Sequence, residues 1–301
     1  MKTIVKMVMV AILMCGVRDV AAKINVVTTT PDLAAIAREV GGDFVTVKAI
    51  ARGNQDPHYV QAKPSFMRTM NQADLLIYTG LELEVGWLPL LIQGARNPKI
   101  GLGALGHLDA SEGIQRLEIP DGKLDRSMGD VHPEGNPHYM LNPHNGLIVG
   151  QTIANRLSQL DPENATSYEK NLEVFQKELQ AKIEIWEMRL HGLQGKKIVT
   201  YHKLWEYLID WLRLEIMGQV ENKPGIPPSP RHVAELVARM KAQDITLLLT
   251  SDYSDPKPAE RVAQQAGAKL LVLPASVDGR EGIETYADLF EAIVSQWVSG
   301  I

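Results

Sequence analysis

The chain has 301 residues, a formal net charge of -5, and 45% hydrophobic and 22% charged residues. That length suffices for two ordinary domains or one large one, and the composition is that of a globular chain able to bury sizeable cores, with nothing that points to disorder. The mildly acidic balance argues against nucleic acid as a partner, because a phosphate backbone selects basic surfaces.

In chain order, Lys2 and Lys6 precede an apolar run from Met7 to Val17, which Arg18-Asp19-Val20-Ala21-Ala22 closes. Basic, apolar and small-residue regions in that order predict a secretory signal peptide over 1–22, with Val20 and Ala22 before the cut and a mature chain from Lys23. The apolar run is too short to span a bilayer, and no later stretch is long and apolar enough to do so. The single cysteine, Cys15, lies in this leader. Met14 before it is bulky where a lipobox needs a small residue, so a lipid anchor at Cys15 is not expected. The predicted mature chain, exported to the periplasm, then holds no cysteine, and any soft metal must be held by imidazole and carboxylate.

The mature chain opens on a β-rich run from Ile24 to Thr28, and Pro31-Asp32 starts a helix ending near Gly41-Gly42. A strand from Phe44 to Ile50, a loop from Arg52 to Lys63, a helix from Pro64-Ser65, a strand from Asp74 to Thr79 and a helix from Leu81 to Gln93 follow. Strands alternating with helices predict a mostly parallel sheet. The Gly- and Asp-rich stretch from Gly101 to Pro137 reads as irregular, and Asn145 to Leu160 as helical. After the start signals of Asp161-Pro162-Glu163-Asn164, the residues Leu172, Phe175, Leu179, Ile183, Trp186 and Leu190 form one apolar stripe. Spacings of three and four over about five turns predict a long helix, ended by Gly192 and Gly195, that could pack along two domains. The second half repeats the α/β alternation: strands at Lys197–Tyr201, Glu215–Val220, Ile245–Thr250 and Leu270–Pro274, and helices at Leu204–Leu212, Pro230–Ala242 (N-capped by Ser229), Pro256–Ala266 and Tyr286–Trp297.

Of the eight histidines, three stand where a ligand would be useful. His58 lies in Asp56-Pro57-His58-Tyr59, in the loop after a predicted strand; His138 lies in Asn136-Pro137-His138-Tyr139; His202 follows the strand ending at Tyr201. Open α/β sheets bind ligands beyond the carboxyl ends of their strands, and a proline before two of these histidines lowers the entropic cost of holding a ligand. Neutral imidazole suits zinc, copper, iron and nickel, and three protein ligands leave a fourth position open. The spacing matches no compact helical zinc motif, so on the residues alone each histidine could equally be a hydrogen-bonding loop residue. His191 and His232 fall on predicted helices as surface residues, His107 in an irregular loop, and His144 at a helix entry. His132, between Asp130 and Glu134, is open to two readings: a mobile metal contact or a polar loop residue.

Several blocks together carry a family resemblance: Asp56-Pro57-His58-Tyr59 with Lys63-Pro64-Ser65; Gln72-Ala73-Asp74-Leu75 with Tyr78-Thr79-Gly80; Gly135-Asn136-Pro137-His138-Tyr139-Met140-Leu141-Asn142-Pro143; Asp161-Pro162-Glu163-Asn164-Ala165 with Tyr168; Thr200-Tyr201-His202-Lys203-Leu204-Trp205-Glu206-Tyr207; and Lys223-Pro224-Gly225-Ile226-Pro227-Pro228-Ser229. Over essentially the whole mature chain the sequence resembles the zinc- and manganese-binding solute-binding proteins of ABC transporters, of the TroA-like or zinc-uptake type. The resemblance implies two mostly parallel α/β lobes joined by one long helix, with the metal in the cleft between them. It divides the chain into a signal peptide (1–22), an N-terminal lobe (23–165), a connecting helix (166–193) and a C-terminal lobe (194–301). The family's three metal-binding histidines match His58, His138 and His202.

The match weakens at the fourth position. Manganese-type members resemble one another in an aspartate where this chain has Ala275, within Pro274-Ala275-Ser276-Val277-Asp278-Gly279. Asp278 or water is the expected fourth ligand, and Glu221 and Asp252 are other acids near strand ends. Histidine-rich sites favour zinc and carboxylate-rich sites manganese, so Zn2+ is the expected ion, with Mn2+ or Fe2+ as alternatives. The His-rich acidic loop of many zinc members is reduced here to Asp121–Glu134, with His132 alone. The implied protein is a monomeric, non-enzymatic carrier that passes its metal to a membrane permease. A secreted zinc hydrolase would need a general base near the metal-bound water; Glu206 is the nearest acid, and a helix-surface salt bridge is its expected role. A siderophore- or cobalamin-binding protein is the remaining alternative, against which the three histidine blocks argue.

Overall fold

The computed structural model describes residues 23–122, 128–129 and 131–300. The predicted signal peptide, with Cys15 and the cut after Ala22, lies outside them, as does part of the acidic stretch 121–134.

The first sheet is built from β1 (Ile24–Thr28), β2 (Val45–Ala49), β3 (Leu75–Tyr78) and β4 (His107–Asp109), all parallel, in the order β2-β1-β3-β4. The second is built from β5 (Lys197–Thr200), β6 (Glu215–Gln219), β7 (Leu247–Ser251) and β8 (Lys269–Leu273), also parallel, in the order β6-β5-β7-β8. Each sheet therefore places its first strand beside its second and third, and its fourth at the far edge. Central strands such as β3 (LLIY) and β7 (LLLTS) read as nearly unbroken apolar runs, as strands covered on both faces must.

The helices are α1 (Pro31–Gly41), α2 (Pro64–Asn71), α3 (Leu88–Ala95), α4 (Pro143–Leu160), α5 (Ala165–Leu190), α6 (Glu206–Leu212), α7 (Pro230–Ala242), α8 (Pro256–Ala266) and α9 (Tyr286–Gly300). A proline in the first turn starts α1, α2, α4, α7 and α8, where its missing N–H costs nothing. Side chains of Asn142, Ser229 and Asp255 accept the N–H groups of His144, His232 and Lys257 and so cap α4, α7 and α8.

Helix α5 runs for 26 residues, about 39 Å at 1.5 Å per residue. It buries the whole predicted stripe, from Leu172 to Leu190, together with Tyr168. Its first half meets α1 and α4: Asn171 Nδ2 donates to the Val40 carbonyl, and Phe175 packs where Gly150 leaves room. Its second half meets α9: Trp186 stacks on Phe290 at 5.6 Å and its Nε1–H donates to Glu291. One continuous apolar core runs from β1 through α5 to α9, and smaller clusters fill the far side of each sheet.

Two elements depart from the sequence expectation. The stretch after Gly101 contains β4, which pairs His107 with Leu76 and Leu108 with Ile77. The expected helix from Leu81 is a series of turns as far as Trp87, with Leu81 and Glu82 at positive φ, and helix begins only at Leu88.

Candidate metal centre

The carboxyl ends of the two sheets face each other, and the chain leaving those ends lines the cleft. His58 sits in the loop after β2, His138 before the short helical turn Tyr139–Leu141, and His202 two residues beyond β5. The structure brings all three rings together: centroids of His58 and His138 are 5.2 Å apart, and His202 lies 6.3 Å from each.

Each ring is positioned by its own local structure. Asp56 Oδ1 accepts the His58 backbone N–H at 2.9 Å and its ring Nδ1–H at 2.7 Å, closing an Asx turn across Pro57. Trp87 Nε1–H fixes the Pro57 carbonyl from the other side at 2.9 Å. His202 Nδ1 meets Glu221 Oε2 at 2.9 Å, and Glu221 also accepts the Gly225 N–H. A carboxylate only accepts, so both rings carry a proton on Nδ1, and in the neutral form each offers Nε2 as its lone-pair donor. This is the outer support that orients metal-binding imidazoles elsewhere. His138 is 8% exposed. Asn136 Oδ1 accepts its backbone N–H, in a second turn of the same kind across Pro137.

The electrostatics of the centre bear on His138 and Asp56. Burial, helped by the neighbouring imidazoles, holds His138 well below the usual histidine range. Burial raises the Asp56 carboxyl, but its hydrogen bond to His58 and the nearby imidazoles outweigh this and leave it below its ordinary value.

Two imidazoles bound through Nε2 to one zinc, at about 2.0–2.1 Å and the tetrahedral angle, have centroids roughly 5.2 Å apart. His58 and His138 already stand at that spacing, whereas His202 is about 1 Å too distant, by the same measure. Accordingly, among the described residues no three histidine, cysteine, aspartate or glutamate side chains are grouped to hold an ion as they stand. A small inward turn of His202 would close the set. The donor chemistry fits a borderline-soft divalent ion, and the adjoining cavities, about 50 Å³ beside His138 and about 30 Å³ between His138 and His202, have the scale of an ion and a few waters.

Asp278 is exposed, on a turn at φ 58° whose N–H donates to the Ile283 carbonyl. Ala275 lines the cavity with His138. Asp252 is held by Arg280 at 2.9 Å. Glu206 departs from its expected surface salt bridge. It is 7% exposed, accepts Asn136 Nδ2 and Gln219 Nε2, and is pushed up to about 7 by burial and then by Glu118. Sequence reasoning also missed Asp56 as the anchor of His58; the Asp-Pro-His order, which favours a turn aimed at the third residue, carried that signal. Asp32 was missed as well. It is buried at the start of α1 and accepts Ser276 Oγ and the Val277 N–H from across the cleft. The other histidines lie elsewhere: the His107 ring packs tilted against Tyr78 at 4.8 Å, His144 pairs with Glu187, and His232 bonds to the Gln219 carbonyl.

Residues 26–300 match the family described as zinc-uptake complex component A, periplasmic. The metal ABC transporter substrate-binding lipoprotein ScbA of Streptococcus cristatus is 27% identical over 276 residues, covering 89% of this chain and 86% of that one. The manganese ABC transporter substrate-binding lipoprotein PsaA of Streptococcus pneumoniae is 26% identical over 274 residues, covering 88% and 85%. Among solved structures, a zinc-bound ZnuA deletion mutant superposes with a TM-score of 0.76 at 23% identity, covering 92% of this chain and 98% of that one. A manganese-bound periplasmic metal-binding protein from Candidatus Liberibacter asiaticus superposes with a TM-score of 0.76 at 22% identity, covering 92% and 99%.

Proposed function

The chain belongs to the periplasmic zinc-uptake complex component A family, and from that membership we propose that it captures zinc with high affinity in the periplasm and hands it to its permease. It is a metal-binding substrate-binding protein of an ABC transporter and not an enzyme, with a metal ion and a permease as partners. The proposal adds the ion, the ligands and the place: export through a cleaved leader, a monomer with lobes at 23–165 and 194–301 joined by 166–193, and zinc on the Nε2 atoms of His58, His138 and His202.

One observation carries the reading: three imidazoles, two of them with Nδ1 tied to carboxylates, converge from both lobes at centroid separations of 5.2–6.3 Å. Imidazole donors and a methyl group at Ala275 favour zinc over the oxygen-seeking manganese. The manganese reading draws on relatives such as the pneumococcal lipoprotein, which carries that ion in its name. Cavities of about 30–50 Å³ speak against a siderophore or cobalamin, whose sites need several hundred Å³.

Calorimetric titration of the metal-free chain from Lys23 tests this. Zinc is expected to bind one to one and more tightly than manganese, and His58→Ala, His138→Ala or His202→Ala each to weaken it roughly 100-fold or more, at least the loss seen on removing an outer-shell partner. Tighter manganese binding would overturn the ion, and indifference to all three substitutions would overturn the site.

A further inference from the structure

One further imidazole lies beside the three of the proposed site. His132 Nε2 lies 3.1 Å from His58 Nε2, and the two ring centroids are 5.2 Å apart. Two nitrogens bound to one tetrahedral zinc at about 2.0–2.1 Å stand roughly 3.3 Å from each other. The pair therefore already has the separation that a shared ion would impose, and its centroid spacing equals that of His58 and His138. His132 also lines the same small cavity as His138 and His202.

The turn that carries His132 is built into both lobes. On the first lobe, Asn136 N–H donates to the Leu117 carbonyl and Arg116 pairs with Glu134 at 3.1 Å. On the second, Asn136 Nδ2 reaches Glu206 and the Lys203 carbonyl. Gly129, at φ +84°, passes so close to Pro224 that a Cβ would strike its carbonyl oxygen. The competing candidate is placed less well: Asp278 points from an exposed turn whose backbone is pressed against Gly53.

Resting on the three-histidine reading, we infer that His132 is the fourth metal ligand, completing a site of four neutral imidazoles. His58 Nδ1 is committed to Asp56, so in the metal-free contact His132 donates its Nε2–H to His58 Nε2. When the ion enters, that proton leaves Nε2 and the neutral ring carries it on Nδ1, which frees the Nε2 lone pair with no net change in protonation. Four nitrogen donors and no carboxylate suit zinc and discriminate against manganese and calcium. His132 is thus the residue that sets selectivity where Ala275 supplies no oxygen.

The test compares the chain from Lys23 with His132→Ala and Gly129→Ala, and uses His138→Ala as the control for the underlying site. Zinc affinity is read by chelator competition, manganese affinity by calorimetry, and the histidine side chains by 15N NMR. Wild type should show four Nε2 resonances moving to the metal-bound range at one equivalent of zinc, with His132 changing from the Nε2–H to the Nδ1–H form. His132→Ala should show three and bind zinc roughly 10- to 100-fold more weakly, with manganese affinity changed by less than about 3-fold. Gly129→Ala keeps the imidazole but displaces its turn and should weaken zinc in the same direction. Three shifted resonances in wild type with unchanged zinc affinity in His132→Ala would overturn the inference and leave the three-histidine site standing. If His138→Ala also left zinc binding unchanged, the underlying site would fall with it.

Discussion

An imidazole whose Nδ1–H is held by a carboxylate can offer a cation only its other nitrogen, and its ring can no longer spin to waste the encounter. Asp56 does this for His58 and Glu221 for His202, each from its own lobe. Removing the negative charge while keeping the shape should loosen the ring and weaken the donor. Asp56→Asn and Glu221→Gln are each expected to cost 10- to 100-fold in zinc affinity, read by chelator competition, with an unchanged circular dichroism spectrum. Unaltered affinity in both would show that the carboxylates only brace the loops. A second residue-scale expectation lies far from the cleft. Glu39 on α1 is half-buried, and burial, with Glu178 and Asp288 beside it, pushes its carboxyl up to about 7 from 4.5. The folded state thus binds its proton more readily than the unfolded chain. The ionised form costs stability in full above about pH 7, progressively less as pH falls, and not at all below 4.5. Allowing for solvent screening, Glu39→Gln should gain about 1–2 kcal/mol at pH 8 and nothing at pH 4, measured by urea unfolding. An equal gain at both pH values would contradict the ionisation argument. The three proposed ligand histidines carry partial local marks, a preceding proline at His58 and His138 and a strand end before His58 and His202, and the family resemblance singled them out. Glu206 was not, because Asn136 and Gln219, which bury its carboxylate, come from 70 and 13 residues away and leave no local trace.

At the scale of elements, α5 is the part that local pattern dictates most completely: an unbroken three-and-four spacing of large apolar residues can be buried in only one way. Helices α7 and α8 begin where their prolines and N-caps place them, and Gly267 at φ 72° ends α8, for the same local reason. Strand β4 escaped because its three residues gain their identity from pairing with β3, some thirty positions earlier. The return of α9 onto the first lobe is equally non-local. Tyr286 lies against α4 where Gly146 leaves room, and its hydroxyl donates to the Met140 carbonyl, two residues beyond His138. Gly146→Ala would drive a methyl group into that ring. Overpacking of about 1–3 kcal/mol, offset by up to about 1 kcal/mol of helix propensity, predicts a net loss of stability in urea unfolding. Gly192→Ala, where a methyl group would meet nothing within 4 Å, is the matched control and should not destabilise. Equal behaviour of the two would refute the packing account of the α4–α9 contact.

For the whole molecule, the decisive feature is that the two sheets do not form separate cores. One apolar cluster passes from β1 through α5 to α9, and Asp32 adds hydrogen bonds to Ser276 and Val277 across the cleft. On the proposed function, a core shared between the lobes makes side chains and loops the expected means of capture and release, rather than wide opening of the lobes. On the proposed site, His202, about 1 Å outside tetrahedral spacing by the centroid measure, is the ring expected to move. The alternation of strands and helices made the α/β class readable in both halves of the sequence, and the family resemblance supplied the two-lobed plan, whereas the apposition of the lobes, and with it the cleft, depends on contacts between distant segments. The central claim, that zinc sits in this cleft on the histidines of both lobes, is tested most directly by anomalous diffraction from zinc-loaded crystals. The account predicts one strong peak at about 2.0–2.1 Å from Nε2 of His58, His138 and His202, with the lobes shifted by less than about 1 Å. A dominant peak outside the cleft, or one lacking any of the three imidazoles, would contradict it.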